Sequence, residues 1–179
     1  VYIDWLRTAG HEAEAERCVG LMARSPLGAR VELKGPVGER NVYALKPRGR
    51  IAAVAATQSG GLIQIGAILA TGNDAIVNAG ETLALKRLPP ELAHRIAMAF
   101  YPLEAPLLAG ALFEGEADAL AAALRQIADR PGPIVRLQAL TPARLAAGED
   151  YNLAELVEEC AIATNTAAAG GNASLMAIG

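Results

Sequence analysis

A chain of 179 residues with 53% hydrophobic residues, 4% aromatic ones and a net charge of −3 holds enough apolar material for one core. It has too few rings and no basic cluster denser than Lys46-Pro47-Arg48-Gly49-Arg50, which excludes an aromatic or electropositive nucleic-acid platform. A core of Ala, Leu, Ile and Val fits helices packed closely on a sheet.

From Asp4 to Arg24 the spacing predicts a helix interrupted near Gly10, with Ala15, Cys18, Val19 and Met22 at i, i+3, i+4 and i+7. Ser25-Pro26-Leu27-Gly28 stops it. Two alternating runs, Val31-Glu32-Leu33 and Val42-Tyr43-Ala44-Leu45, flank Gly35 to Arg40 and predict a β-hairpin with a long loop, lying outside the main core. The pattern then becomes strand, helix, strand: Ile51 to Ala56, Gly61 to Ala70, and Ala75-Ile76-Val77, with Gly72-Asn73 as the helix stop. Pro89 to Tyr101 reads as a short helix and a strand over Ile96 to Phe100.

A second unit follows, with a strand from Leu107 to Phe113, a helix from Glu116 to Asp129 and a strand from Pro133 to Leu137. Its helix is the clearest in the chain. Ala117, Leu120, Ala121, Leu124, Ile127 and Ala128 form one face, Glu116 and Asp118 lie in the first turn, and Pro131-Gly132 closes the end. Two such units imply parallel strands and a sheet covered on both faces. Thr141 to Asp150 reads as a loop, Tyr151 to Glu159 as a last helix, and Cys160 to Thr164 as a last strand.

From Cys160 to Gly179 no side chain is charged, unlike a solvated tail. A transmembrane anchor needs about 20 predominantly apolar residues, and Thr164, Asn165, Thr166, Gly170, Gly171, Asn172 and Ser174 interrupt this one. Two readings stay open on the residues alone: a strand and loop packed on the chain's own domain, or a segment inserted at an interface or tunnel wall.

Cys18 and Cys160 have no metal-type spacing and read as structural thiols, and with no signal peptide a reduced cytoplasmic location is the expectation. The chain starts at Val1, mid-pattern, and reads as a piece of something longer. His94 has no partner in view, and His11 lies on a polar helical stretch. The first strand-to-helix turn, Ala56-Thr57-Gln58-Ser59-Gly60-Gly61, lacks G-x-G-x-x-G. Gln58, Ser59, Gly60 and Gly61 are weak candidates for cradling an anion, with Ser59 as N-cap, but the same residues are what a helix start needs, and the structural reading is favoured. No Ser/His/Asp set, paired His ligands or P-loop is present. Glu158-Glu159 and Glu114/Glu116 read as solvated faces.

Several segments resemble, in order, the C-terminal domain of the long bacterial proline utilization A (PutA) proteins. They are Ser25-Pro26-Leu27-Gly28, Gly35-Pro36-Val37-Gly38-Glu39-Arg40-Asn41, Tyr43-Ala44-Leu45-Lys46-Pro47-Arg48, Gly115-Glu116-Ala117-Asp118-Ala119-Leu120 and Gly132-Pro133-Ile134-Val135. The most specific is the tail, Asn165-Thr166-Ala167-Ala168-Ala169-Gly170-Gly171-Asn172-Ala173-Ser174-Leu175-Met176-Ala177-Ile178-Gly179. The resemblance implies a parent that oxidises proline to glutamate through an FAD-dependent proline dehydrogenase and an NAD-dependent aldehyde dehydrogenase, both N-terminal to this piece. It implies an α/β, Rossmann-like three-layer sandwich with a mostly parallel sheet, like an aldehyde dehydrogenase nucleotide-binding domain. The expected organisation is a helical segment over 1–28, a β-hairpin flap over 29–46, the Rossmann-like domain over 47–164 and the tail motif over 165–179.

Such a dehydrogenase unit has an Asn after its first strand for the oxyanion and a Lys ending its second strand. Here Thr57-Gln58-Ser59 and Asn78 stand at those places, and no Cys lies in a nucleophile motif. The expectation is a non-catalytic copy without catalytic residue, metal or cofactor of its own, FAD and NAD belonging to the parent. Its implied partner is the aldehyde dehydrogenase module of the same polypeptide. Asn165, Thr166, Ala167, Ala168, Ala169, Gly170, Gly171, Asn172, Ser174, Leu175, Met176 and Gly179 are then the lid that helps enclose a channel. Nucleic acid and an integral membrane segment are not expected. A weak nucleotide-binding or regulatory domain and an oligomerisation module remain alternatives, and peripheral attachment of the parent to the inner membrane stays open.

Overall fold

The computed structural model describes residues 1–36, 38–79, 85 and 88–166. Two helices come first, α1 (Tyr2–Thr8) and α2 (Glu12–Ala23). They part at Gly10, whose φ of 85° lies in the left-handed region that a β-carbon disfavours. Then follow β1 (Arg30–Leu33), β2 (Glu39–Pro47), β3 (Arg50–Val54), α3 (Gln58–Ala70), β4 (Asp74–Asn78), α4 (Pro90–Ala93) and β5 (Ile96–Ala99). The chain continues through β6 (Leu108–Glu114), α5 (Ala117–Ala128), β7 (Arg136–Leu140), α6 (Pro142–Ala146) and β8 (Val157–Asn165).

Five strands form an all-parallel sheet in the order β5-β4-β3-β6-β7. Strand alternation sorts their apolar side chains to two sides. Ile51, Ala53, Ala75, Val77, Leu112 and Leu140 join a core with α1, α2 and α3, whereas Ala52, Ile76, Ala111 and Phe113 join another with Ala123 of α5. The crossover from β3 to β4 runs one way along the sheet and that from β6 to β7 runs the other. Crossovers of one hand therefore leave α3 and α5 on opposite faces. Helix α3 has no charged residue and is buried continuously from Leu62 to Ile68, as a helix apolar all round must be. Leu6, Ala15, Cys18 and Leu21 of α1 and α2 belong to the same core as Leu62, Ile65 and Ile68 of α3, and each large side chain so buried contributes about 1.5–3 kcal/mol.

Polar groups tie the chain where strands begin. Asn73 accepts from Gly49 N at 2.8 Å through Oδ1 and donates from Nδ2 to Leu156 O at 2.7 Å. Arg17 donates to Asp150 Oδ1 at 2.7 Å and to Leu145 O at 2.5 Å, fastening α2 beside α6. Burial pushes the Asp150 carboxyl up, but the hydrogen bonds from Arg24 and Arg17 more than reverse this and hold it below its ordinary value.

Three expectations are corrected. Thr141 to Asp150 contains α6, capped by Thr141 Oγ1 accepting from Arg144 N and started by Pro142. Tyr151 to Glu159 is no helix: a 3₁₀ turn covers Leu153–Leu156, and β8 begins at Val157. Strand β7 starts at Arg136, not Pro133, and Ile134 is 95% exposed.

The hairpin gains a third strand. Strands β1, β2 and β8 form a separate antiparallel sheet in that order, with Val31 opposite Tyr43 and Tyr43 opposite Ala161. Paired residues share a side, so Val31, Leu33, Asn41, Tyr43, Ala161 and Ala163 lie on one face. Among them Val31 and Leu33 are 53% and 49% exposed.

Candidate functional site

Strand order reverses between β3 and β6, since β4 and β5 extend the sheet on one side and β7 on the other. In open parallel sheets the crevice beyond the strand ends at this point is where ligands bind. Here it is formed by the turn from β3 into α3 and by Glu114, the last residue of β6.

Thr57 is the N-cap of α3, with φ −121° and ψ 153°, and its Oγ1 accepts from Gly60 N at 2.9 Å. Ser59, the expected cap, lies within the helix; the extended backbone at Thr57 places that residue's hydroxyl against the free N–H groups of the first turn. Thr57 also donates to the Glu114 carboxylate, from N to Oε2 at 2.9 Å and from Oγ1 to Oε1 at 2.8 Å. Glu114 is 2% exposed, which corrects its reading as a solvated carboxylate; Glu116, at the N-cap of α5, is exposed as expected. The carboxylate reaches so far under the helix that a β-carbon on Gly60 would lie 2.0 Å from Oε2.

Beneath the crevice, buried Gln64 donates through Nε2 to Val54 O at 3.1 Å and to the Tyr151 hydroxyl at 2.8 Å, which donates to Phe113 O at 3.0 Å. This chain links the ends of β3 and β6 to the segment before β8. Burial pushes the Tyr151 phenol up to about 12; the Gln64 hydrogen bond opposes the shift and the Glu114 charge adds to it.

Of the weak anion-cradle candidates, Gln58 and Ser59 face solvent, Gly60 is buried against Glu114, and Gly61 N donates to Thr57 O within the helix. Cys18 is buried against Gly66 and its thiol is pushed up to about 12, first by burial and then by Glu14 and Asp150 against Arg17. Cys160 is half-buried within β8. His94 is exposed at the end of α4, and His11 Nδ1 lies 3.9 Å from Glu14. Glu158 and Glu159 are exposed, as expected.

The start of the tail belongs to the small sheet. Asn165 is the last residue of β8, opposite Glu39, and Thr166 N donates to Gly38 O at 2.8 Å. Ala167, Ala168, Ala169, Gly170, Gly171, Asn172, Ser174, Leu175, Met176 and Gly179 lie outside the described residues. Among the described residues no helix is long and apolar enough to cross a membrane. No group of three or more His, Cys, Asp and Glu among them could hold a metal ion.

No family model matches the chain. A bifunctional protein PutA from Rhizobium meliloti is 45% identical over 182 residues, covering 99% of this chain and 15% of that protein. The chain matches the C-terminal domain of PutA. It spans only a small part of the length of the PutA proteins it resembles. A solved Bradyrhizobium japonicum PutA variant superposes with a TM-score of 0.57 at 22% identity, over 78% of this chain and 18% of that one. A Bacillus cereus aldehyde dehydrogenase, solved as an NAD+ complex, gives 0.51 at 14% identity over 72% of this chain and 29% of the other. Both share the α/β fold of this chain, a Rossmann-like sheet between helices, which is parallel throughout here.

Glu114 was missed by reading charge along the sequence. The available signal was its place: a carboxylate ending the continuous apolar run Leu107 to Phe113, at the strand end that faces a Gly60-Gly61 turn.

Proposed function

We propose that this chain is the non-catalytic C-terminal domain of a longer proline-catabolic polypeptide, in which proline dehydrogenase and glutamate semialdehyde dehydrogenase activities reside in preceding modules using FAD and NAD. Its work is to pack on the aldehyde dehydrogenase module and, through residues 165–179, help enclose the path by which the intermediate passes between the active sites.

The observation that carries this reading is the small sheet. It presents Val31, Leu33, Ala161 and Ala163 on one exposed face, and β8 as its outer strand runs directly into the tail. An exposed apolar sheet face with an outer strand is a surface in want of a cover. The PutA relatives supply the class of cover, because their remaining length lies outside the part this chain matches. What supports the non-catalytic half is that Cys18 packs against Gly66 in the middle of α3 and Cys160 lies in β8, so neither thiol is at the turn from Thr57 to Gly61.

In the longer polypeptide, deleting residues 167–179 should lower aldehyde dehydrogenase turnover and release the intermediate to solution, where it can be trapped. Unchanged turnover together with unchanged transfer would refute the lid. A halved mass in solution with normal kinetics would assign the same surface to self-association instead.

A further inference from the structure

At the end of the parallel sheet opposite the crevice, the starts of β3 and β7 meet the base of the small sheet across a cleft of about 560 Å³. Arg48, just before β3, and Arg136, the first residue of β7, line it together with Glu158 and Glu159 of β8, and Leu45 and Val157 add apolar wall. Its sides are fixed. Val157 pairs with Pro47, and Gln138 of β7 donates to Asn152 O at 3.1 Å while accepting from Asn152 N at 2.8 Å. A concave site of a few hundred Å³, formed in advance and carrying a few convergent charged groups, is the usual shape of a small-molecule site.

The charges in this cleft are not matched to one another. Arg17, Arg40, Arg95 and Arg144 each hold a carboxylate. Among the described residues neither Arg48 nor Arg136 has an ion pair or a side-chain hydrogen bond, although two carboxylates line the same space. Arg48 Nε is moreover buried without a partner, and a buried donor left so is costly until something supplies an acceptor. Glu159 is engaged on the β2 side, where its hydrogen bond with the Tyr43 hydroxyl pushes that phenol up.

We infer that this cleft is a binding site for a small zwitterion, an α-amino acid with an apolar side chain. The guanidiniums of Arg48 and Arg136 take its carboxylate, Glu158 and Glu159 its ammonium, and Leu45 and Val157 its side chain. The lining decides the class. Planar guanidiniums with free N–H groups match a carboxylate. A phosphate or dicarboxylate would also meet the two glutamates, and a simple amine the two arginines, each at the cost of facing like charge. A molecule with one charge of each sign, close together, meets neither penalty. The assignment stands on this cleft alone and does not depend on the proposed packing of the small sheet or on the tail.

The 179-residue chain, which holds both of its cores within itself, is titrated with L-leucine and L-valine by calorimetry and by amide NMR. Isocaproate, which lacks leucine's ammonium, and isoamylamine, which lacks its carboxylate, serve as controls. The amino acids should bind at millimolar concentration, with amide shifts around Arg48, Arg136 and Val157 to Glu159, and each control about tenfold or more weakly. Arg136→Gln, at an exposed position, should keep the fold and lose about tenfold in affinity for both amino acids. Glu158→Gln combined with Glu159→Gln should weaken leucine and bring isocaproate level with it.

No shift with either amino acid, isocaproate binding the parent as tightly as leucine, or a folded Arg136→Gln variant of unchanged affinity would each overturn the inference. In the longer polypeptide, equilibrium dialysis with labelled leucine should show the same loss in Arg136→Gln. Binding by the 179-residue chain but not by the longer polypeptide would give the cleft to a carboxylate from elsewhere in that polypeptide and overturn the free amino acid as its ligand.

Discussion

Gly66→Ala should destabilise this domain although alanine is the better helix former. Gly66 sits in the buried stretch of α3, where α2 crosses it, and an added β-carbon would lie 2.2 Å from Cys18 Sγ and 3.4 Å from Cys18 Cβ. The sulfur is one bond from its own β-carbon and Cys18 is 3% exposed, so it can yield only by turning toward the small cavity that Tyr2, Met22 and Leu69 line beside it. Replacing a mid-helix glycine by alanine gains about 1 kcal/mol in propensity, and overpacking a close contact costs about 1–3 kcal/mol. The expected net loss is up to about 2 kcal/mol, read as a lower urea midpoint at unchanged m. Cys18→Ala removes the clashing atom and leaves the 3.4 Å contact, so the second substitution should rescue the first, with a coupling energy of about 2 kcal/mol in the double-mutant cycle. A Gly66→Ala variant more stable than the parent, or a cycle in which the two changes simply add, would refute the packing of α2 on α3.

Thr57→Val keeps the shape of the cap but removes its acceptor for Gly60 N and its hydroxyl bond to Glu114. It should lose about 2 kcal/mol of stability, while Thr57→Ser should stay near the parent; equal midpoints for Val and Ser would show the hydroxyl to be idle. Alkaline pH should weaken the fold, because burial raises the Cys18 thiol from 9.0 to about 12 and the Tyr151 phenol from 10.0 to about 12. Each prefers its protonated form in the folded state, so its contribution is complete below the unfolded pKa and is lost as pH rises through the folded one. Urea midpoints should fall between pH 9 and 12, and a flat profile there would contradict both burials. Leu33→Lys should change the stability of the chain alone by no more than about 0.5 kcal/mol, yet lower aldehyde dehydrogenase turnover in the longer polypeptide. A large loss in the isolated chain would show that Leu33 is buried within it.

The central strands and α3 are legible in the sequence because each carries its own signal. Ile51 to Ala53 and Ala75 to Val77 are continuous apolar runs, as strands covered on both faces must be, and Gly72 with φ 75° ends the helix between them. The largest error falls where structure is set by a distant partner. Val157 to Asn165 has neither strict alternation nor a helical period, and it becomes a strand because it pairs with β2 from Pro47 to Glu39, far back in the chain. Ile134 looked like a strand residue beside Val135, but only Val135 is buried, following the positive φ of 102° at Gly132. α6 was missed although Thr141-Pro142 is a cap followed by proline at the first helical position.

The candidate site was hidden for a related reason. Its two halves, Thr57 to Gly61 and Glu114, lie at the strand-to-helix turns of different βα units, and each alone reads as a helix start or a surface acid. They meet only because β6 returns to lie beside β3, so the sheet order, which no local pattern encodes, creates the contact. That contact inverts the usual division of labour in a fold of this kind. A nucleotide-binding domain keeps its polar crevice open and its apolar surface covered. Here the crevice is satisfied from within by Thr57 and Glu114, while Val31 and Leu33 are left to solvent on a sheet bounded by β8. Water already solvates an open polar crevice at little cost, whereas exposed apolar area gains about 25 cal/mol for every Å² that a partner covers. The free energy available to this domain for binding therefore lies on the face of the small sheet, and a partner that covers that face also meets the strand from which the tail departs.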